Sequence, residues 1–316
     1  MPQSLVLNLT TQSSLSPKHL QGYSLQQLFF NLVDVVDPEL GHVLRRDKKN
    51  RSYSLSALQV KPPAVSRSAN GSPIPLRIVK QQRASAFSAL QYTHSQSIAA
   101  NTHCWWRVSF LDDDLFDHLI FLWNQLKDEI FQLGTTGIKI TKIAADLPGI
   151  SWASSCSYRD LYEQACAHQR DIHLQFVTPT AFELDGNVTP LPTADAIFQP
   201  LRKYWNRYSG LVFAPSLIDS IAPTSFDIKT EPVQSTLRSS FQTITGCTGA
   251  MSFRIGSDDP LTTKRINALA NFTQYCGVGS NTRFGMGVLR RIDAAAKLSL
   301  QQKPANATRS IRSEIH

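Results

Sequence analysis

Polar and apolar residues alternate from Leu5 to Leu9, the period-two pattern of a strand with one buried face. From about Ser24 the period changes, and Leu25, Leu28, Phe29, Leu32, Val35 and Val36 fall on one face of a helix. Asp37 and Pro38 interrupt that helix. Pro38 can open a second, short one over Glu39 to Arg45, because proline is favoured in a first helical turn. Ser52 to Val60 reads as a strand with Tyr53, Leu55 and Ala57 on one side. Lys61 to Arg83 carries four prolines and little periodicity, which predicts a long loop or hairpin. A strand over His103 to Phe110, a helix from Asp112 to about Leu126 with an acidic first turn, and a strand over Gly137 to Ala144 complete the series. The order β-α-β-β-α-β over residues 1–150 is the split βαβ, or ferredoxin-like, arrangement.

Pro148 and Gly149 punctuate the chain, and the same order recurs over residues 151–298 without obvious repetition of sequence. A helix near Tyr158 to His168 bridges the halves. His173 to Val177 predicts a strand, and Ala194 to Tyr208 an amphipathic helix that Pro200 either kinks or starts. Ser225 to Lys229, Arg238 to Thr245 and Ala250 to Ile255 predict further strands, with Gly246 to Gly249 as a hairpin turn. Ile266, Leu269 and Phe272 share a helical face, and Met286 to Leu289 reads as a buried strand. Between them lies a loop with Gly277, Gly279, Gly285 and Gly287, and with Asn281 and Arg283 among the glycines. Its backbone N–H groups can approach a ligand without Cβ obstruction, which suits phosphate; glycines in that number can also serve only to shape the turn. The order helix, loop, strand is the reverse of a nucleotide-binding phosphate loop. The fold class is thus α+β, two tandem ferredoxin-like (βαββαβ) domains with a cleft between them, and residues 299–316 are expected to form a disordered polar tail.

Composition sharpens the choice of partner. A hydrophobic content of 42% in 316 residues supports sizeable cores, and a formal charge of +8 with a pI near 9.3 favours polyanions. The basic residues cluster at Arg45, Arg46, Lys48, Lys49 and Arg51, and again at Arg290 and Arg291, so nucleic acid is the leading partner class. Five cysteines, odd in number and without a Cys-x-x-Cys pair, suggest neither a disulfide framework nor a zinc ribbon but reduced thiols in a cytoplasm. The first residues lack the basic and apolar regions of a secretion signal, and no 18-residue apolar run exists, so a cytoplasmic protein without a membrane partner is expected. His94, His118 and His168 show no metal-ligand spacing, and His103 and His173 lie in strands as satisfied side chains; no metal site and no cofactor are expected. Trp105 and Trp106 offer stacking surfaces for bases, although alternation turns one of the two inward.

Gly246 to Gly249, the helix after it, and Cys276 to Gly287 resemble the C-terminal signature of the CRISPR-associated repeat-processing endoribonucleases, the repeat-associated mysterious protein superfamily. Asp37 to Leu40 followed by Arg51 to Leu58 is similar to the N-terminal region of that family, and Phe176 to Phe182 to the start of its second half. The resemblance implies metal-independent cleavage of a CRISPR precursor transcript within its repeats. The ribose 2′-OH is then the nucleophile, and the products carry a 2′,3′-cyclic phosphate or 3′-phosphate and a 5′-OH. It further implies CRISPR repeat RNA as partner, with a CRISPR effector complex as a second one and a monomer or homodimer as the state.

Many members have a histidine at the end of the short helix, where this chain has Arg45. His42 lies one helical turn earlier. Two site readings follow. Either His42 serves as general acid or base, or Arg45 with Lys48, Lys49 or Arg51 stabilises the phosphate without a titrating histidine. Gly277, Gly279, Asn281, Arg283, Gly285 and Gly287 are expected to hold the RNA backbone, with Tyr23 as a further contact. A non-catalytic RNA-binding subunit of the same superfamily and an αβ adaptor protein are the alternatives.

Overall fold

The computed structural model describes residues 1–46, 52–60, 90–144, 152–184, 186–237 and 240–293. The loop expected over Lys61 to Arg83, the tail from residue 299, and Lys48, Lys49 and Arg51 of the basic cluster lie outside these residues.

The first half is built on a sheet in the order β2-β4-β1-β6-β5, with all neighbours antiparallel. Its strands are β1 (Gln3–Thr11), β2 (Tyr53–Leu55), β4 (His103–Phe110), β5 (Ile130–Leu133) and β6 (Thr136–Ala144). Short strands β3 (Gln59–Val60) and β7 (Ser154–Ser155) add to β4 and β1. Helices α1 (Gly22–Val36) and α3 (Asp113–Trp123) are the ferredoxin-like crossovers, and α2 (Pro38–Arg46) is an addition after α1. Leu5, Leu7 and Leu9 of β1 face the helices, as the alternation predicts, while Val6 joins a smaller apolar cluster on the other face with Trp152, Val177 and Val288. Phe29 of α1 sits at the centre of the first core, stacked 4.3 Å from Tyr53 and edge-on to Trp123 at 6.0 Å.

The second half repeats the plan with a sheet in the order β11-β12-β8-β13. Its strands are β8 (Asp171–Thr180), β11 (Ile221–Leu237), β12 (Ser240–Ile255) and β13 (Leu289–Ile292), with a side hairpin β9 (Phe182–Leu184) and β10 (Asn187–Thr189). A short α4 (Tyr158–Glu163) precedes the crossovers α5 (Ala194–Tyr208) and α6 (Pro260–Cys276). The Trp205 ring anchors this core, stacked on Phe213 and edge-on to Tyr158 and Phe272. Among the described residues no helix is long and apolar enough to cross a membrane.

Four local expectations are corrected, and one left open is settled. Gly246 to Gly249 is not a turn but the middle of β12, where the pairing with β8 slips register between Cys247 and Gly249. A Cβ on Gly246 would lie 2.9 Å from the Thr180 nitrogen, and one on Gly249 2.2 Å from the Asp227 carbonyl oxygen, so these glycines mark close backbone approach at a bulge. The single strand over Ser52 to Val60 is two short ones, because Leu55 faces Val108 while Gln59 faces Trp105, one residue out of register. Between them Ser56 donates its backbone N–H to Arg107 O and accepts from the Trp106 indole, 2.9 Å away. The helix after Tyr158 ends at Glu163, and α5 begins at Ala194 with Thr193 as its N-cap, so Pro200 lies inside it. The strand expected at Met286 begins only at Leu289; Gly287 and Val288 are held by bonds to Pro179 O and Thr178 Oγ1 instead.

The halves are joined at the C-terminal end of α6, whose last carbonyls have no partner within the helix. Ser54 of β2 donates to Tyr275 O at 3.1 Å, and the buried Arg107 of β4 donates to Gln274 O, to Trp152 O at 3.1 Å and to Ser4 Oγ at 2.7 Å. Burial pushes the Arg107 guanidinium down to about 10, still cationic at neutral pH. Arg107→Ala is expected to orphan two buried carbonyls and open a cavity at the seam, costing about 3 kcal/mol or more. Thermal unfolding measures this, and a variant as stable as the parent would show that Arg107 does not hold the halves together.

Candidate functional site

The glycine loop leaves α6 at Gly277 (φ +68°) and runs along the seam between the halves. Gly279, Gly285 and Gly287 all have positive φ, and the room left by their missing Cβ is filled by protein. A Cβ on Gly279 would lie 2.3 Å from Ala181 O, one on Gly287 2.0 Å from Val278 O, and one on Gly285 3.0 Å from the Ala57 nitrogen in the first half. The fold itself therefore demands these glycines. Asn281 takes the left-handed conformation, and its carbonyl closes the loop by accepting from Phe284 N at 2.9 Å and Met286 N at 3.3 Å. The loop is also fixed from the first half. Tyr92 Oη donates to Phe284 O at 3.3 Å, and Gly22 in the first turn of α1 lets that carbonyl approach to where a Cβ would be 2.1 Å away. Tyr23, next to Gly22, is exposed.

This docking brings Arg283 of the loop to the first half, its guanidinium 5.7 Å from the centre of the Tyr53 ring. Tyr53 is buried, and Gln26 of α1 donates to its hydroxyl at 3.4 Å. Burial raises the Tyr53 phenol above its usual range, and the charges of Arg283 and Arg45 oppose that shift. Arg45 reaches the cluster from α2. Its guanidinium grips Asp34 of α1 in two parallel bonds, Nη1 to Oδ1 at 2.7 Å and Nη2 to Oδ2, and lies 4.5 Å over the Phe30 ring. The bond to Asp34 raises the Arg45 guanidinium further above its usual value. The pair fits because residue 41 is glycine: a Cβ there would be 1.9 Å from Asp34 Oδ1.

The structure thus seats Arg283 by Tyr53 and Arg45 on Phe30, whose ring is edge-on to Tyr53 at 6.4 Å, and it sets His42 exposed on the solvent side of α2. Among the described residues His42 makes no hydrogen bond. Sequence reasoning missed Tyr53, Asp34 and Gly41. Only Gly41 left a signal, as a helix-interior glycine with no local reason. Reading His118 by metal spacing also missed its bond to Asp37 Oδ2, 2.8 Å long, which ties α3 to the start of α2. His103 and His173 are satisfied by Thr10 and Ser252, as expected, and Trp106 is fully buried while Trp105 packs against the seam.

Two ferredoxin-like sheets, β2-β4-β1-β6 and β11-β12-β8-β13, with a glycine loop between the halves and a basic α2, are the tandem architecture expected of the repeat-associated mysterious protein superfamily. Family models agree: residues 1–163 match the CRISPR Cas6 N-terminal domain and residues 174–289 the CRISPR-associated endoribonuclease Cas6. The chain belongs to the Cas6 family of CRISPR-associated endoribonucleases, which process CRISPR repeat RNA. The Cas6 endoribonuclease of Mycobacterium tuberculosis is 24% identical over 220 residues, covering 67% of each chain. Among solved structures, a Cas6 product complex superposes with a TM-score of 0.68 at 20% identity, covering 92% of this chain and 100% of that one. Thermus thermophilus Cas6 gives 0.63 at 21% identity, with 92% and 98% covered.

Alanine ordinarily exceeds glycine in a helix interior by about 1 kcal/mol. At position 41 the sign is expected to reverse, because the added methyl group displaces Asp34 from Arg45. Thermal unfolding of Gly41→Ala should show a loss, and in an Asp34→Ala background the same change should become stabilising. A gain in the parent background would mean that the pair does not fill this space. Asp37 is held below the usual carboxylate range, first by the backbone N–H of Leu40 at 2.9 Å and then by His118. Its folded value is depressed, so its contribution to stability is complete above the ordinary carboxylate range and is lost as the pH falls through the depressed value. The stability difference between wild type and Asp37→Asn should therefore shrink on acidification below about pH 4. A difference unchanged down to pH 2 would contradict this.

Proposed function

We propose that this chain cleaves CRISPR precursor transcripts within their repeats by attack of the ribose 2′-OH on the adjacent phosphate. The reaction needs no metal ion and leaves a 2′,3′-cyclic phosphate or 3′-phosphate and a 5′-OH. The observation that carries this reading is that Arg283 from the glycine loop lies by Tyr53 while Arg45 from α2 lies on Phe30, the ring edge-on to Tyr53, which brings cations from both halves of the chain to one aromatic cluster. Such a pair suits the charge that develops on a phosphorane, and fixed cations act there without reorganisation. Asp34 orients Arg45 through two of its five N–H donors and leaves others for a phosphate oxygen. His42, within one turn of Arg45, supplies the titrating group for the 2′-OH or the 5′-oxygen. Residues 1–150 thus carry the chemistry, and residues 151–298 the loop whose Gly277, Gly279, Asn281, Gly285 and Gly287 shape a backbone path for RNA, with Tyr23 at its edge. Lys48, Lys49 and Arg51, which follow α2 in the sequence, add further positive charge. A Cas6 of the same fold solved as a product complex supports RNA as the ligand.

A second reading rests on the exposed setting of His42 and the tight fixing of Arg45. Here no side chain titrates, and cation placement with in-line geometry does the work.

One assay separates these readings. Repeat RNA in EDTA should be cut by wild type, and a 2′-deoxy substitution at the scissile nucleotide should abolish cutting. Arg45→Ala should slow single-turnover cleavage on the order of 10²-fold or more. His42→Ala should slow it on the order of 10²-fold and flatten the pH–rate profile between pH 5 and 8. Cleavage by His42→Ala at the wild-type rate selects the cation-only reading. Binding without cleavage by wild type would reduce the chain to an RNA-binding subunit.

A further inference from the structure

Helix α5 forms a ridge between two grooves that the chemistry above leaves unused. One groove, of about 600 Å³, separates α5 from the glycine loop; Lys203, Arg207, Gly279 and Ser280 line it, with Glu183 and Asp195 among its other walls. The second, of about 810 Å³, lies between the C-terminal turn of α5 and helices α2 and α3; Arg207, Val43 and Leu44 line it, with Asp37, Asp112 and Asp114. Arg207 belongs to both, so the grooves meet at its side chain. At their far ends stand the glycine loop and α2, the two elements that carry the proposed site.

The α5 sequence explains the ridge. Ile197, Phe198, Leu201 and Trp205 are buried, which turns Lys203 and Arg207 to the exposed side, four residues apart on one strip. Like charges at this spacing lie about 5–6 Å apart at Cβ and weaken a helix, so the pair is a cost to the folded chain in the absence of an anion. The Arg207 guanidinium rests 5.6 Å from the centre of the Tyr208 ring, which holds the side chain along the ridge. Two cations in a row match successive phosphates on a strand. Carboxylates line both grooves as well, so the two cations of the ridge are where a strand crossing from the glycine loop to α2 is held.

We infer that Lys203 and Arg207 form a second phosphate-contact strip, over which a single-stranded segment of the RNA passes between the glycine loop and α2. This rests on the proposed function, since it takes repeat RNA as the ligand. The test uses the full chain and repeat RNA made uncleavable by a 2′-deoxy nucleotide at the scissile position. Affinity is measured by fluorescence anisotropy over a range of salt, with wild-type cleavage of the unmodified RNA followed in parallel. Each single-strand phosphate contact contributes about 0.7 to the slope of log K against log salt. Lys203→Ala/Arg207→Ala is therefore expected to bind roughly 10- to 100-fold more weakly at low salt and to lower the slope by about 1.4. Lys203→Arg, which keeps the charge, should retain the wild-type slope. An unchanged affinity and slope in the double variant, beside normal wild-type cleavage, overturns the strip alone. A wild type that neither binds nor cuts the RNA overturns the proposed function and the strip with it.

Discussion

The structure depends on how the C-terminal end of α6 is satisfied at the seam between the halves. A helix end carries unpaired carbonyls and a partial negative charge, and leaving it dry would cost several kcal/mol. Here the first half supplies the donors, Ser54 to Tyr275 O and Arg107 to Gln274 O. The hydrogen bonds recorded for Arg107 all go to neutral acceptors, the carbonyls of Trp152 and Gln274 and the Ser4 hydroxyl. Its charge is balanced by the helix end and by the faces of Trp152, 5.7 Å away. This choice has a directional consequence. Carbonyls at a helix terminus accept best from beyond the helix end, so the bonds favour the end-on approach of α6 to β2 and β4.

Everything after Gly277 inherits that approach. The loop passes close enough to Ala57 and to the first turn of α1 that Gly285 and Gly22 admit no Cβ, and Arg283 arrives over Tyr53 as a result. The glycines are thus accounted for by packing before any ligand is considered. Ser280 is buried in turn, its N–H and hydroxyl both donating to Ala181 O. Asp34 offsets the charge of Arg45 through its two parallel bonds, while Arg283 rests by the Tyr53 ring.

Local patterns carried most of the fold. The alternation in β1, the apolar stripe of α1, and the whole of α5 were legible because one face of each packs against a single core, which imposes a clean period. The errors fall where an element meets two partners. Gly246 to Gly249 looks like a turn but is a bulge, since glycine signals close backbone approach as readily as it signals reversal. Ser52 to Val60 changes register because Ser56 turns to bond Arg107 and Trp106 rather than continue the ladder. In the site, the basic residues showed in the sequence and their partners did not. Asp34 and Arg45 are eleven positions apart on different helices, and Arg283 and Tyr53 lie in different halves. No periodicity links them.

The arginine at position 45 is better understood with its partners than alone. A histidine there would have no fork of donors to grip both oxygens of Asp34, and a lysine would meet them as a point charge. The bidentate bond, the stack on Phe30 and the missing Cβ of Gly41 belong together: a side chain at 41 would deny Asp34 its position, and without Asp34 the guanidinium would lose the orientation that points its remaining donors away from α1. The departure from the family histidine is therefore matched by a carboxylate on α1 and a glycine one turn back on α2. Such a constellation favours a fixed cation over a proton carrier at this position.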